Sequence, residues 1–163
     1  MKTRIAIIAA LVASLTFATA AEKIKAPNGG RIIDTVTPKA EFLITAEKKV
    51  EVRFLDDAGK VVAPAAQTVT VTMGDRAAPT KLAFTKDGDK LVSDKVIPEG
   101  KGLPVVLQIK VTPEAKTVTE KFNLNLAKCP TCEHAEYACI CAHGAEEKGH
   151  EGHDHKPGEK HDH

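Results

Sequence analysis

Residues 21–127 predict a mainly β fold, an antiparallel β-sandwich of immunoglobulin-like type, and three observations carry that prediction. Apolar residues alternate with polar ones at period two, turn sequences interrupt the chain at short intervals, and no segment carries an apolar stripe at the 3.6-residue helical period. Short strands without crossover helices pair antiparallel, and a sandwich buries the apolar face of each. A small barrel satisfies the same pattern and stays open as the alternative arrangement.

Seven or eight short strands are expected, near 31–35, 39–45, 49–56, 67–73, 80–85, 90–95, 103–111 and 117–126. In the third, Val50, Val52 and Phe54 face opposite to Glu51 and Arg53. In the fourth, Val69, Val71 and Met73 alternate with Thr68, Thr70 and Thr72. In the seventh, Val105, Leu107, Ile109 and Val111 share a face, and in the last Val118, Phe122, Leu124 and Leu126 do so. Asp56-Asp57-Ala58-Gly59-Lys60, Pro98-Glu99-Gly100-Lys101-Gly102 and Thr112-Pro113-Glu114-Ala115 break the runs, and Lys86-Asp87-Gly88-Asp89 reads as a hairpin turn. A segment of this length can bury a modest core of Val, Leu, Ile and Phe without needing disulfides.

Ahead of these strands, residues 1–20 read as a signal peptide. Lys2 and Arg4 precede an apolar run from Ile5 to Phe17, and Ala18-Thr19-Ala20 supplies a small-residue cleavage pattern. The run is shorter than the ~20 residues that span a bilayer, and no basic stop-transfer cluster follows it. Cleavage before Ala21 is therefore expected, giving a periplasmic or secreted protein with no membrane insertion afterwards. Losing Lys2 and Arg4 leaves 21 basic against 22 acidic residues, a net charge of −1 with histidine neutral. That balance, with no Trp and one Tyr, argues against nucleic acid as a partner.

Histidine and cysteine are distributed unevenly. All seven histidines lie between His134 and His163, all four cysteines lie between Cys129 and Cys141, and residues 21–128 contain neither. The strand-rich part accordingly has no Ser-His-Asp or Cys-His arrangement, and an enzyme is not expected. Its carboxylates Asp56, Asp57, Asp87 and Asp89 sit in turn sequences, where they bond the local backbone.

Pro27-Asn28-Gly29-Gly30-Arg31, then Glu41-Phe42, then the run from Val50 through Asp56-Asp57-Ala58-Gly59-Lys60 resembles the small sandwich domain attached to periplasmic adaptors of heavy-metal efflux pumps. Those domains show a Pro-His-Gly-Gly entry and a strand ending in an Asp-x-x-Gly-Lys turn. The resemblance covers about a third of the chain. Asn28 stands where the family has histidine, so metal binding through that position does not carry over. The hairpin and lipoyl-like parts of a full adaptor have no counterpart in this sequence. The resemblance implies metal handling in an envelope compartment, with a component of a heavy-metal efflux system as partner.

Residues 128–143 form a Cys-rich knuckle. Cys129-Pro130-Thr131-Cys132 is followed by Cys139-Ile140-Cys141, and His134 and His143 each stand two residues after a pair. Two close thiolate pairs complete the four-coordination that soft and borderline cations prefer, and an imidazole can replace one sulfur. Two readings compete with a metal site. Four cysteines in an oxidising compartment can form two disulfides, although a bridge within Cys-x-Cys closes a small, strained ring. Cys129 and Cys132 also have the spacing of a redox-active pair, without the helix start that normally activates one.

Residues 144–163 carry His150, His153, His155, His161 and His163 among Gly, Glu, Asp and Lys. So few apolar residues predict a disordered tail whose imidazoles collect cations, with Asp154 and Asp162 as auxiliary ligands. Binding there should weaken as pH falls through about 6.5, where imidazole protonates. The expected cofactor is a transition-metal ion, zinc first, with copper or nickel as alternatives. The expected function is an exported metal-binding accessory protein that binds, buffers or hands on such an ion. Its alternatives are a disulfide-bonded envelope interaction module and an exported thiol-redox protein.

Overall fold

A computed structural model describes residues 24–141. The expected signal peptide, the last two residues of the expected knuckle and the expected tail 144–163 lie outside these residues. Nine strands occur among them: β1 (Arg31–Ile33), β2 (Lys39–Ile44), β3 (Lys49–Leu55), β4 (Val61–Val62), β5 (Thr68–Met73), β6 (Thr80–Asp87), β7 (Lys90–Val96), β8 (Leu103–Lys110) and β9 (Val118–Leu124). A single 3-10 turn, Glu136–Ala138, follows β9. The expected strands are all present, and β4 is the addition: a two-residue strand pairing with the end of β3 after the Asp56–Lys60 turn.

Every pairing is antiparallel, and the strands follow one hydrogen-bonded path, β1-β2-β3-β7-β6-β5-β8-β9. β6 makes the path continuous. Its first half, Thr80–Ala83, pairs with β5, and its second half, Phe84–Asp87, pairs with β7. Because one strand carries both ladders, the sheet curls around a single core and nearly closes. The barrel left open by the sequence describes this arrangement better than two separate sheets. Asp87 pairs with Lys90, so the β6–β7 hairpin turns on Gly88 and Asp89, with Gly88 at φ +61°.

The period-two pattern sorts the side chains largely as expected. Val50, Val52, Phe54, Val71, Met73, Leu107, Ile109 and Leu124 are all sealed in the core. Burial of this set is the main favourable contribution to the fold. The last strand departs from the reading in one respect. β9 ends at Leu124, and Leu126 lies beyond it, 47% exposed rather than on the core face.

Glu41 and Glu51 are buried on the outer face, although the alternation assigns both to solvent. The turn 27–30 folds over Glu41. Its carboxylate accepts the Asn28 N–H (2.9 Å), the Gly30 N–H (2.9 Å) and the Asn28 side-chain amide (2.8 Å). Arg53, opposite Glu41 in the ladder, donates to Asn28 Oδ1 at 2.8 Å and to Glu51 at 2.7 Å. Lys90, opposite Arg53 on β7, donates to the other Glu51 oxygen at 2.6 Å. A buried carboxylate needs such partners, because an unpaired one is strongly disfavoured. The Pro-Asn-Gly-Gly sequence therefore serves a structural end here, with both polar atoms of the Asn28 side chain engaged.

Gly30 has no room for a side chain, since a Cβ there would stand 2.4 Å from the Phe42 carbonyl oxygen and 2.9 Å from Glu41 Cγ. Gly30→Ala is expected to cost about 3 kcal/mol, read from urea unfolding, because neither backbone can yield without breaking the ladder. Burial alone would raise the Glu51 carboxyl, but hydrogen bonds and charge from Lys90 and Arg53 outweigh it and hold it below its ordinary value. Its contribution is thus present above the unfolded carboxylate value of about 4.3 and lost as pH falls through the lower folded one. Glu51→Gln is expected to cost about 1–2 kcal/mol at pH 7 and to flatten the acid limb of the stability curve, measured by denaturant unfolding between pH 2 and pH 7.

Candidate metal centre

The chain leaves β9 at Leu124 and doubles back at once. Asn125 stabilises the turn: its Oδ1 accepts the Ala127 N–H at 3.0 Å, and its side-chain amide donates to the Glu136 carboxylate. Two short arms then run antiparallel. Glu136 N–H donates to the Ala127 carbonyl at 2.9 Å, Cys129 N–H donates to the His134 carbonyl at 2.9 Å, and Lys128 bridges Ala135. Cys129 and Cys132 sit in the loop between the arms. Pro130, lacking an N–H, leaves no donor unsatisfied where the loop turns away.

The 3-10 turn reverses the chain again. Ala138 N–H bonds the Ala135 carbonyl at 2.9 Å and Cys139 N–H bonds the Glu136 carbonyl at 3.1 Å, which swings the second cysteine pair under the first. The sulfurs of Cys129, Cys132, Cys139 and Cys141 all lie within 4.8 Å of one another. Cys139 Sγ is central, 3.4 Å from Cys129 Sγ and 3.6 Å from Cys132 Sγ. It also accepts the Cys141 N–H at 3.3 Å. Cys129 is buried and the other three are half-buried.

These separations fit a cation. A tetrahedral ion with metal–sulfur bonds of about 2.3 Å sets its sulfurs about 3.8 Å apart, whereas a disulfide needs about 2.05 Å. Four sulfur donors suit zinc, cadmium or cuprous ions and do not suit calcium or magnesium. Crowding also acts on the thiols themselves. Contact with the Cys139 sulfur, burial and the nearby Cys132 together push the Cys141 thiol up to about 12. The Cys141 N–H works to lower the Cys139 thiol, but burial and the neighbouring sulfurs outweigh it and leave that thiol raised. Four adjacent thiolates repel one another, and a divalent cation is the charge that lets them ionise together.

The expected ligands divide into three groups. The four cysteines are brought together. His134 stands apart from that group, its imidazole lying over the entry turn with Nδ1 3.5 Å from where a Gly29 Cβ would be. His143, His150, His153, His155, His161 and His163 lie outside the described residues.

Tyr137, between the two cysteine pairs, belongs to the barrel core at 5% exposure and was not signalled as a functional residue by sequence reasoning. A lone aromatic residue flanked by Ala135 and Ala138 in a polar stretch was the available sign. Its ring meets Phe42 edge-on at 6.1 Å, its hydroxyl accepts the Ile44 N–H at 3.1 Å, and its N–H donates to the Asn125 carbonyl at 3.2 Å. Arg31, stacked 4.7 Å above the Phe122 ring, donates to the Tyr137 carbonyl at 3.2 Å. Burial raises the phenol above its ordinary value, with the Ile44 bond acting against it and Glu41 adding to it, so the ring is seated neutral.

No protein-family model matches the chain, and no curated protein or solved structure matches it. The class is thus defined by fold and site alone: a small antiparallel β-barrel with a four-cysteine centre able to hold a metal ion.

Tyr137→Phe removes the acceptor for Ile44 N–H while keeping the ring. A loss of about 1 kcal/mol in unfolding free energy is expected, with β-sheet circular dichroism unchanged.

Proposed function

We propose that this chain is an exported, non-catalytic metal-binding accessory protein of the cell envelope that takes up Zn(II) and buffers it or hands it on. One observation carries the reading: four cysteine sulfurs converge within 4.8 Å of one another. Zinc is preferred over cuprous ion because four sulfurs converging within 4.8 Å of one another match its closed four-coordination, while cuprous ion is satisfied by two or three thiolates.

Export is supported by the basic start, apolar run and Ala18-Thr19-Ala20 of the leader. The resemblance of residues 27–60 to the small domains on heavy-metal efflux adaptors supports an efflux component as recipient. The histidines supply a second class of donor within reach of the first. His143 follows Cys141 by two residues, at most about 7 Å of extended chain. His143, His150, His153, His155, His161 and His163 would capture a cation loosely, and the thiolates would retain it. A redox role has less support, because Cys129 and Cys132 lie in a loop with no helix start to lower a thiol pKa.

Titration of the reduced protein with Cd(II), followed by the thiolate-to-cadmium absorption band, is expected to saturate at one ion per chain. The Cys132→Ser, Cys141→Ser double variant should lose at least half of the band, with two thiolates left to bind. Protein isolated from its own envelope with both cysteine pairs oxidised, and inert to Zn(II) and Cd(II), would refute the proposal.

A further inference from the structure

The barrel has a seam. The sheet path ends at β1 and β9, which lack a ladder between them, and the segment 125–139 lies along the gap. Tyr137 spans it, held to the β9 side through the Asn125 carbonyl and to the β1–β2 side through Arg31, Ile44 N–H and Phe42. Other contacts cross the seam as well: Thr35 Oγ1 donates to Glu120 at 2.6 Å, Arg31 of β1 stacks 4.7 Å above Phe122 of β9, and Phe42 of β2 meets Phe122 edge-on at 5.2 Å.

Apart from the cysteines, the strap is held at Tyr137 and by the Asn125–Glu136 pair. Tyr137 is its one large buried side chain, with Ala138 beside it, and Pro130, Thr131 and Glu133 face solvent. Its hydrogen-bonded structure amounts to two short arms and one 3-10 turn, and isolated turns of this kind are marginal in water. The four sulfurs sit on both sides of Tyr137 in sequence. A cation bound to all four closes the loop from Cys129 to Cys141 with Tyr137 inside it, which removes most conformations in which the ring leaves the core.

We propose that cation occupancy of the four-cysteine centre latches this strap, so that the loaded protein is closed and the emptied protein exposes the edges of β1 and β9 and the Ile44 end of β2. The inference rests on the metal-binding reading and adds a regulatory consequence: the load state is displayed as a change in barrel surface. Linkage makes the effect reciprocal, so anything that unseats Tyr137 weakens cation binding by the same factor. An unpaired strand edge is a ready site for another chain, which gives a recipient a means of telling full from empty.

The sole tyrosine in a chain without tryptophan makes the test direct, because intrinsic emission comes from Tyr137 alone. The full mature chain is compared reduced and loaded with one equivalent of Cd(II), and reduced after chelation. The cadmium–thiolate band reports occupancy of the cysteines separately from the histidines. Chelation is expected to raise acrylamide quenching of Tyr137 several-fold and to speed amide exchange at Ile44 at least tenfold, with Val71 and Leu107 unchanged. The Cys129→Ser, Cys132→Ser double variant, which removes both sulfurs on the N-terminal side of Tyr137, should resemble the chelated protein even with Cd(II) present. If that variant does not fold, the chelated wild type decides alone. A full thiolate band with unchanged Tyr137 quenching and Ile44 exchange overturns the latch and leaves the metal site standing. Absence of the band removes the metal reading and the latch with it.

Discussion

A sheet that curls around one core without pairing its first strand to its last must seal the gap in some other way. Here Tyr137 completes the seal, beside Phe122, which meets Phe42 and Arg31 across the gap. Tyr137 fills the space between β1 and β9, satisfies the Ile44 N–H beyond the end of β1, and places its own carbonyl against Arg31. The location of the four cysteines follows from that anchor, because the arms and 3-10 turn that bring the sulfurs together are the same backbone that carries Tyr137 inward. The centre and the barrel are therefore one structure. Under the proposed latch, an ion held by the sulfurs acts on the seam, and the seam in turn sets the geometry offered to the ion.

The outer face of the barrel follows a similar logic with different chemistry. Glu41 and Glu51 lie where an alternating strand ordinarily shows water a polar side chain, yet both are covered. Each is tolerated because positive or N–H donors surround it: the entry turn for Glu41, and Arg53 with Lys90 for Glu51. Arg53 links the two groups, so a charged row crosses β2, β3 and β7 and ties the entry turn to the sheet. The entry turn in turn lies beneath the His134 imidazole at Gly29, which brings it against the knuckle. The histidine nearest the cysteines is thereby engaged in packing at the chain entry rather than in the sulfur group.

Metal selectivity follows from donor chemistry together with spacing. Sulfur donors turn away hard cations whatever their arrangement. The arrangement adds that all four sulfurs converge, which favours a closed tetrahedral ion over one content with two ligands. A closed centre of this kind retains its ion, and the more labile imidazoles further along the chain are better suited to exchange. That division of donors is what the proposed buffering role requires.

The strands and their faces could be read from the residues, because period-two alternation and turn chemistry are local properties and the side-chain period of a strand is fixed. Val50-Glu51-Val52-Arg53-Phe54 declares its own inner face without reference to anything distant. The four cysteines were legible for a related reason, since close spacing within each pair brings two sulfurs together in nearly any fold. Closure was a different matter. Whether β6 serves two neighbours, whether Glu41 is covered, and whether Tyr137 leaves the polar segment for the core are decided by contacts between residues far apart in sequence. No local pattern records those contacts, because each depends on the free energy of excluding water from surfaces that meet only after the chain has folded.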